Sequence, residues 1–166
     1  NTSVNRVGMI GSYGNRWANN AIARADLIIA LGSRLDVRQT GTDVEAFVQG
    51  KQIFRVDVDP FEIKGRIKAD YSVQSELDEF VEAMLLLQPS IDCSEWLTSI
   101  QAEAEKHPQE EEQIEHLEFN PNQIMKWISD IADDSNGFLV DVGQHQMWAA
   151  QSLSLNNTQR FLTSGG

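Results

Sequence analysis

The sequence predicts an α/β protein with parallel sheets. Short apolar runs alternate with helix-sized segments, the runs stop at glycine or proline, and the spacing suits a crossover helix. Strands are predicted at 25–32 and 52–59, with a helix over 43–48 between them. Asp43 is the expected cap of that helix, and Gly50 its end. The first strand is a continuous apolar run, which predicts a strand that is buried on both faces.

Helices are predicted on either side of these strands. One covers 17–24, and another starts at Ser75, where apolar residues recur at spacings of three and four. Ser75 is expected to cap this helix, with Asp78 three residues later. A further helix is expected over 94–105. The apolar face of the helix after Ser75 consists of Leu77, Phe80, Val81, Met84 and Leu85.

A second α/β alternation begins at Asn120. This residue is expected to cap a helix that has Pro121 at its first position. A strand at 138–142, a helix at 147–153 and a strand at 160–162 follow. The apolar stripe of the helix after Asn120 consists of Ile124, Met125, Trp127, Ile128 and Ile131.

Composition divides the chain into three zones. An acidic stretch, with Glu110–Glu112 at its most charged point, separates two mixed regions. The last residues form a glycine turn that would lead into another helix, so we expect a fragment of a larger protein. Residues 1–90 would be the C-terminal part of one α/β domain, 91–119 a solvated linker with a helix, and 120–166 the start of a second domain.

Charge excludes some classes of function. The 13 basic and 25 acidic residues give a net charge of −12, which argues against a nucleic-acid or anionic membrane surface. The sequence contains neither a membrane-spanning run nor a signal peptide. The single Cys93 forbids an internal disulfide and favours a reducing, cytoplasmic setting.

Two strand ends are candidate ligand sites, because ligands of open α/β sheets bind outside the carboxyl ends of the strands. In Gly32–Arg38, two arginines and Asp36 follow a glycine turn, which suits a phosphate or diphosphate or, equally, a surface Arg–Asp pair. Asp57 ends the second strand and can accept hydrogen bonds from a ribose or adenine; alternatively, residues 57–59 only cap the next helix. Together the ends indicate an adenine dinucleotide. A metal is less favoured, since no His is near in sequence.

Two further segments carry weaker signals. The glycines of 8–14 either let the backbone approach a ligand or form a turn, and they do not match the Gly-x-Gly-x-x-Gly fingerprint. The segment 142–148 joins a strand to a helix, so its N–H groups, with Gln144 and His145, can donate to a phosphate. A lone His145 without His or Cys partners is more typical of a structural residue.

Longer strings in the sequence resemble one enzyme family. Val-Gly-Gln-His-Gln-Met-Trp-Ala-Ala-Gln at 142–151 and Arg-Phe-Leu-Thr-Ser-Gly-Gly at 160–166 resemble the start of the thiamine-diphosphate domain of the acetolactate synthase family. The glycines of 11–14 with Ala18-Asn19, the string at 31–41 and the string at 56–63 resemble the central domain of the same family. The resemblance covers essentially the whole chain in the right order.

The resemblance implies a Rossmann-like, FAD-binding central domain and a homo-oligomer, a dimer or tetramer. It implies decarboxylation of pyruvate and transfer of the two-carbon unit to a second 2-oxo acid, with thiamine diphosphate, Mg²⁺ and FAD as cofactors. It places no catalytic or metal-binding residue in this chain, so these 166 residues alone are expected to be inactive. The implied FAD contacts are Gly11, Ser12, Tyr13, Gly32, Ser33, Arg34, Leu35, Asp36, Arg38, Asp57 and Val58. The implied thiamine diphosphate contacts are Gly143, Gln144 and His145.

The chain departs from the family pattern at four places. Leu35 stands where the family has Phe, Val37 replaces a second acid, Tyr13 replaces a histidine, and Ser75-Glu76 replaces Gly-Asp. Two alternatives therefore stay open. One is another thiamine-diphosphate-dependent decarboxylase or carboligase, and the other is a purely structural nucleotide-binding module.

Overall fold

The computed structural model describes residues 5–106 and 118–164. Contacts divide the chain into two compact units. The three-stranded unit comprises 10–12 and 19–94, and the two-stranded unit comprises the described parts of 1–9, 13–18 and 95–166. Each unit has its own parallel sheet, which confirms the predicted α/β class. The predicted domain limits at 90 and 119 stay a prediction.

The sheet of the three-stranded unit has the order β1-β2-β3, with parallel neighbours. Leu31 lies opposite Val56, and Val56 lies opposite Val73. The strands are β1 Leu27–Leu31, β2 Gln52–Asp57 and β3 Tyr71–Gln74. The helices are α1 Arg16–Arg24, α2 Val37–Thr40, α3 Val44–Val48, α4 Pro60–Ile63 and α5 Leu77–Leu87, of which α1 begins in the other unit. The sequence interpretation missed β3, whose four residues are all exposed. The signal was the alternation of apolar and polar residues in Tyr-Ser-Val-Gln at 71–74.

One face of this sheet carries the core. Ile28, Ala30 and Ile53 pack with Leu35 and Ile67, and residues of α1 and α3 partly cover them. The opposite face carries α5, whose Phe80 ring lies 6.0 Å from that of Phe54 on β2.

The prediction that β1 is buried on both faces is wrong. Leu27, Ile29 and Leu31 are 42–49% exposed, while Ile28 and Ala30 are buried. Side chains alternate between the faces of a strand, and within the described residues only the face of Ile28 and Ala30 joins the core. The apolar run therefore gave the strand correctly and its burial incorrectly.

The predictions for the helix ends are confirmed at α3 but not at α5. Asp43 caps α3 as expected, with its Oδ1 accepting from the N–H of Ala46 at 3.0 Å. Asp59 caps α4, so β2 ends at Asp57 rather than at Asp59. Ser75 is not the cap of α5: that position is Glu76, which makes no side-chain capping bond. The Ser75 hydroxyl instead donates to the Glu76 carbonyl and the Glu79 carboxylate.

The two-stranded unit consists of α6 Ser94–Lys106, α7 Pro121–Ile131, β4 Gly137–Val140, α8 Gln144–Ser152 and β5 Arg160–Thr163. Strands β4 and β5 are parallel, with Phe138 opposite Phe161. Helix α6 confirms the prediction for 94–105, and Ile100 is its buried residue. Most of the predicted acidic linker, residues 107–117, lies outside the described residues. None of the described helices is both long and apolar enough to cross a membrane.

Helix α7 begins as predicted but buries a different face. Asn120 caps it by accepting from the N–H of Asn122 at 2.9 Å. The predicted apolar stripe is largely exposed, Ile131 by 84%, whereas Asn122 and Ser129 are buried. The reason is bonding to the end of α8 and the segment after it: Asn122 Oδ1 accepts from the Ser152 hydroxyl, and Ser129 Oγ accepts from the N–H of Ser154.

Candidate functional site

The carboxyl ends of β1 and β2 form a crevice, which we call the strand-end crevice and define by residues 32–36, 57 and 58. Gly32 leaves β1 with φ +56°, and its N–H donates to the carbonyl of Val56 at 2.8 Å. This bond holds the loop after β1 beside the end of β2. The two strand ends that the sequence singled out therefore lie next to each other.

Three predicted residues of the loop have distinct surroundings. The Arg34 side chain is 78% exposed, with its Nε 3.0 Å from the Glu62 carboxylate. Leu35 has φ +52° and packs its side chain into the core, so only its backbone is positioned to meet a ligand. Asp36 caps α2, with Oδ1 accepting from the N–H groups of Arg38 and Gln39. The surface Arg–acid pair left open above exists, but the acid is Glu62.

The loop rests on a residue that the sequence interpretation missed. Arg55 on β2 is 1% exposed, and its guanidinium donates to the carbonyls of Ser33, Arg34 and Ile67. A signal was present in the spacing: Arg55 is two residues from both Ile53 and Asp57, so it shares their face of the strand, and the structure shows that this face is buried.

Asp57 is the acid at the tip of β2. It is 8% exposed, and its Oδ1 accepts from the N–H of Asp59 at 3.0 Å. Asp59 itself accepts from the N–H of Phe61 at 2.8 Å and is the helix cap. A carboxylate accepts several hydrogen bonds, so Asp57 retains acceptor capacity for a hydroxyl of a ligand. Val58 beside it is exposed.

The glycine loop approaches α2 closely. Gly11 has φ +100°, and a Cβ on it would lie 2.2 Å from the Arg38 carbonyl oxygen. The N–H of Ser12 donates to that oxygen at 2.8 Å. The structure therefore brings Gly11 and Ser12 to Arg38. Tyr13 belongs to the two-stranded unit, where its carbonyl accepts from Nε2 of Gln151.

The third candidate site is the N-terminus of α8. Gly143 is the N-cap and makes no side-chain capping bond, and Gln144 and His145 are exposed in the first turn. The helix begins three residues before the predicted Met147, so both side chains sit on the helix itself. A Cβ on Gly143 would lie 2.8 Å from the His145 ring. The N–H of Gln146 donates to the Gly143 carbonyl at 3.1 Å, whereas no described residue accepts from the N–H groups of Gln144 and His145, which therefore suit an anion.

An acid precedes this helix. The hydroxyl of Ser164 and the main-chain N–H of Val142 hold the pKa of the exposed Asp141 carboxyl below its ordinary value of 3.8. Gln146 Nε2 donates to the Thr163 hydroxyl at 2.6 Å. Two contacts thus connect the start of α8 and the loop before it with the end of β5.

Beyond these sites, the described residues offer a cleft but no metal-binding cluster. They contain no group of three or more His, Cys, Asp or Glu residues that could hold a metal ion. A cleft of about 320 Å³ lies in the two-stranded unit between 6–8, Asn15, Trp17 and 151–155. None of the predicted site residues lines it.

Comparisons with known proteins identify the family. Residues 1–84 match the family model described as "Thiamine pyrophosphate enzyme, central domain". The large subunit of acetolactate synthase from Lactococcus lactis is 32% identical over 162 residues, 97% of this chain and 28% of that protein. The isozyme 1 large subunit from Escherichia coli is 33% identical over 165 residues, and the large subunit from Cyanidium caldarium 35% over 166, each covering 96% of this chain and 28% of the relative. The chain thus spans under a third of the length of these relatives. Because the family model covers half of its residues, this chain belongs to the family of thiamine pyrophosphate enzymes.

Proposed function

We propose that this chain is part of a thiamine-diphosphate-dependent carboligase of the acetolactate synthase type. The enzyme would decarboxylate pyruvate and add the two-carbon unit to a second 2-oxo acid. One observation carries the proposal: the similarity to acetolactate synthase large subunits extends over 96–97% of the chain and so includes both the strand-end crevice and the start of α8. We further propose a homo-oligomer, a dimer or tetramer, in the cytoplasm.

The strand-end crevice fits the adenosine and diphosphate parts of FAD. Asp57 offers a carboxylate to a ribose hydroxyl, as acids at strand ends do in dinucleotide-binding folds. Arg34, 78% exposed, presents a planar fork to phosphate oxygens. Gly11, which has no side chain, lets the glycine loop pack directly against the main chain of Arg38 beside the crevice. We assign FAD to this crevice and to the neighbouring Gly11, Ser12 and Arg38, and Leu35 would contribute its backbone alone. Tyr13, the remaining contact implied by the resemblance, belongs to the two-stranded unit and is not part of this assignment.

The N-terminus of α8 fits the diphosphate of the thiamine cofactor. When bound, thiamine diphosphate supplies the carbon nucleophile that the reaction needs. Gly143 makes no side-chain cap, and the main-chain N–H groups and side chains of Gln144 and His145 would hold the diphosphate and fix its position. The proposal includes Mg²⁺ on this diphosphate but assigns no ligand for it in this chain.

The test uses the full-length protein. We expect acetolactate to form from pyruvate only when thiamine diphosphate and Mg²⁺ are added, and flavin absorbance to accompany the protein through gel filtration. The 166 residues alone should form none, which serves as the matched control. Release of carbon dioxide without acetolactate would instead indicate a decarboxylase. Bound flavin without either reaction would indicate a structural nucleotide-binding module.

A further inference from the structure

Arg55 is a buried cation in the middle of the sheet. It is 1% exposed, and its guanidinium donates to the carbonyl oxygens of Ser33 at 2.9 Å, Ile67 at 3.2 Å and Arg34 at 3.4 Å. No carboxylate of the described residues forms an ion pair with it. Burying an unpaired charge is costly, so these carbonyl dipoles must offset the lost hydration of the guanidinium.

The same bonds fix the direction of the loop after β1. The described peptide bonds are all trans, and in a planar trans peptide the C=O and the following N–H point in opposite directions. Because the Ser33 carbonyl points at Arg55, the N–H of Arg34 points away from it. No described residue accepts a hydrogen bond from that N–H. The loop thus presents a free donor on its outer side.

Two neighbours hold the loop in this orientation. The N–H of Gly32 is bound to the Val56 carbonyl at 2.8 Å, and Leu35 is anchored in the core. Leu35 adopts φ +52°, a backbone conformation that residues other than Gly and Asn rarely adopt. Such a conformation persists only where the surroundings enforce it. Gly32, Arg55 and Leu35 together enforce this one.

We propose that Arg55 is a positioning residue that turns the Arg34 N–H toward the strand-end crevice, where it donates to a phosphate oxygen of an adenine dinucleotide. Arg55 would not touch the ligand. Its buried positive charge and the exposed Arg34 guanidinium would both favour an anion beside the loop. This inference rests on the proposed function, because it takes the crevice to be a nucleotide site.

The experiment separates phosphate binding from general loss of structure. The full-length protein is freed of flavin and saturated with thiamine diphosphate and Mg²⁺, so that the α8 site takes up none of the added ligand. ADP, adenosine, FAD and inorganic diphosphate are then titrated calorimetrically into the wild type, R55Q, R55K and R24Q. Arg24 is a matched control, since it is exposed in the last turn of α1, ahead of β1 and at the opposite end of the strand from the crevice.

We expect R55Q to bind ADP, FAD and inorganic diphosphate about ten-fold more weakly, while adenosine binding stays within about two-fold. R55K keeps the charge and an ammonium donor but lacks the planar fork that spans the carbonyls, so its loss should be smaller than that of R55Q. If R55Q fails to fold, R55K is the test: it should bind ADP, FAD and inorganic diphosphate more weakly than the wild type and adenosine equally well. R24Q should match the wild type.

Three outcomes would overturn the inference. These are unchanged diphosphate and ADP binding in R55Q and R55K, an equal loss of adenosine and ADP binding, and a wild type that binds no phosphate ligand. A wild type that binds inorganic diphosphate and ADP but not FAD would refute only the flavin assignment. The affinities of R55Q and R55K for inorganic diphosphate and ADP would then test the role of Arg55.

Discussion

The side-chain amide of Asn19 is bonded to both main-chain groups of Gly11. Its Oδ1 accepts from the Gly11 N–H at 2.7 Å, and its Nδ2 donates to the Gly11 carbonyl at 2.9 Å. A donor and an acceptor on one planar group are needed for this pair of bonds, and Asn has both. Helix α1 therefore fixes the glycine loop at the point where it meets Arg38.

Replacing Asn19 by Asp should weaken flavin binding. The carboxylate has no donor for the Gly11 carbonyl and places an oxygen against it, which should cost about 1–3 kcal/mol of loop stability. We expect flavin occupancy of the full-length protein after gel filtration to fall in Asn19→Asp. Asn157→Asp, at an exposed turn, is the control. Unchanged occupancy in both variants would show that this clamp does not support a flavin site.

Gly11→Ala should destabilise the protein more than Gly50→Ala. Both glycines have positive φ, +100° and +74°, so both substitutions carry a backbone cost of about 1 kcal/mol or more. Only at Gly11 would the new Cβ also meet an atom, the Arg38 carbonyl oxygen at 2.2 Å; at Gly50 nothing lies within 4 Å. Urea unfolding of the two variants measures the difference, and equal losses would contradict the close approach.

Arg34→Lys should lower flavin occupancy although it keeps the charge. Lysine lacks the planar fork, and losing a bidentate contact to a phosphate should cost about 1.5–3 kcal/mol, or one to two decades in affinity. The readout is flavin absorbance per subunit at low free FAD. Arg24→Lys is the control, because Arg24 lies in the last turn of α1, at the opposite end of β1 from the crevice. Arg66 is unsuitable, because its guanidinium holds the segment after α2 by donating to Thr40, Gly41 and Thr42. If Arg34→Lys and Arg24→Lys retain equal flavin, Arg34 is not a flavin contact.

Asp57→Ala should also lower flavin occupancy, by removing an acceptor for the adenosine half. The variant leaves the Asp59 N–H unpaired, so some loss of stability is expected as well. Asp43→Ala separates the two effects, because it removes a carboxylate that likewise accepts from a main-chain N–H at 3.0 Å but caps α3. Equal flavin affinity in the two variants would place the adenosine elsewhere.

Ser164→Ala should raise the pKa of Asp141 toward its ordinary value of 3.8, because the hydroxyl is the main cause of the lowered pKa. A carboxyl whose pKa is lower in the folded protein contributes stability above pH 3.8, and this contribution is lost as the pH falls through the folded-state pKa. Titration of the Asp141 carboxyl resonance by NMR measures the shift. Ser90→Ala, in an exposed segment, is the control and should leave the pKa of Asp141 unchanged.

The sequence by itself determined the features that depend on a few adjacent residues. Asp43 and Asn120 cap their helices because a side-chain oxygen reaches an N–H two or three residues on. The apolar run at β1 and the crossover spacing gave parallel strands. Parallel strands place their carboxyl ends at one edge, so the proximity of Gly32 and Asp57 also followed from sequence.

Only the tertiary structure decided which faces are buried and which polar groups meet. Residues 21 to 30 positions away in the chain complete the surroundings of Arg55 and Ser129 and fix the burial of α7, and no local pattern encodes such contacts. Leu27 and Ile28 are equally apolar, yet only one of them lies on the face that joins the core. Burial depends on what packs against a surface, and a sequence window contains one side of that contact.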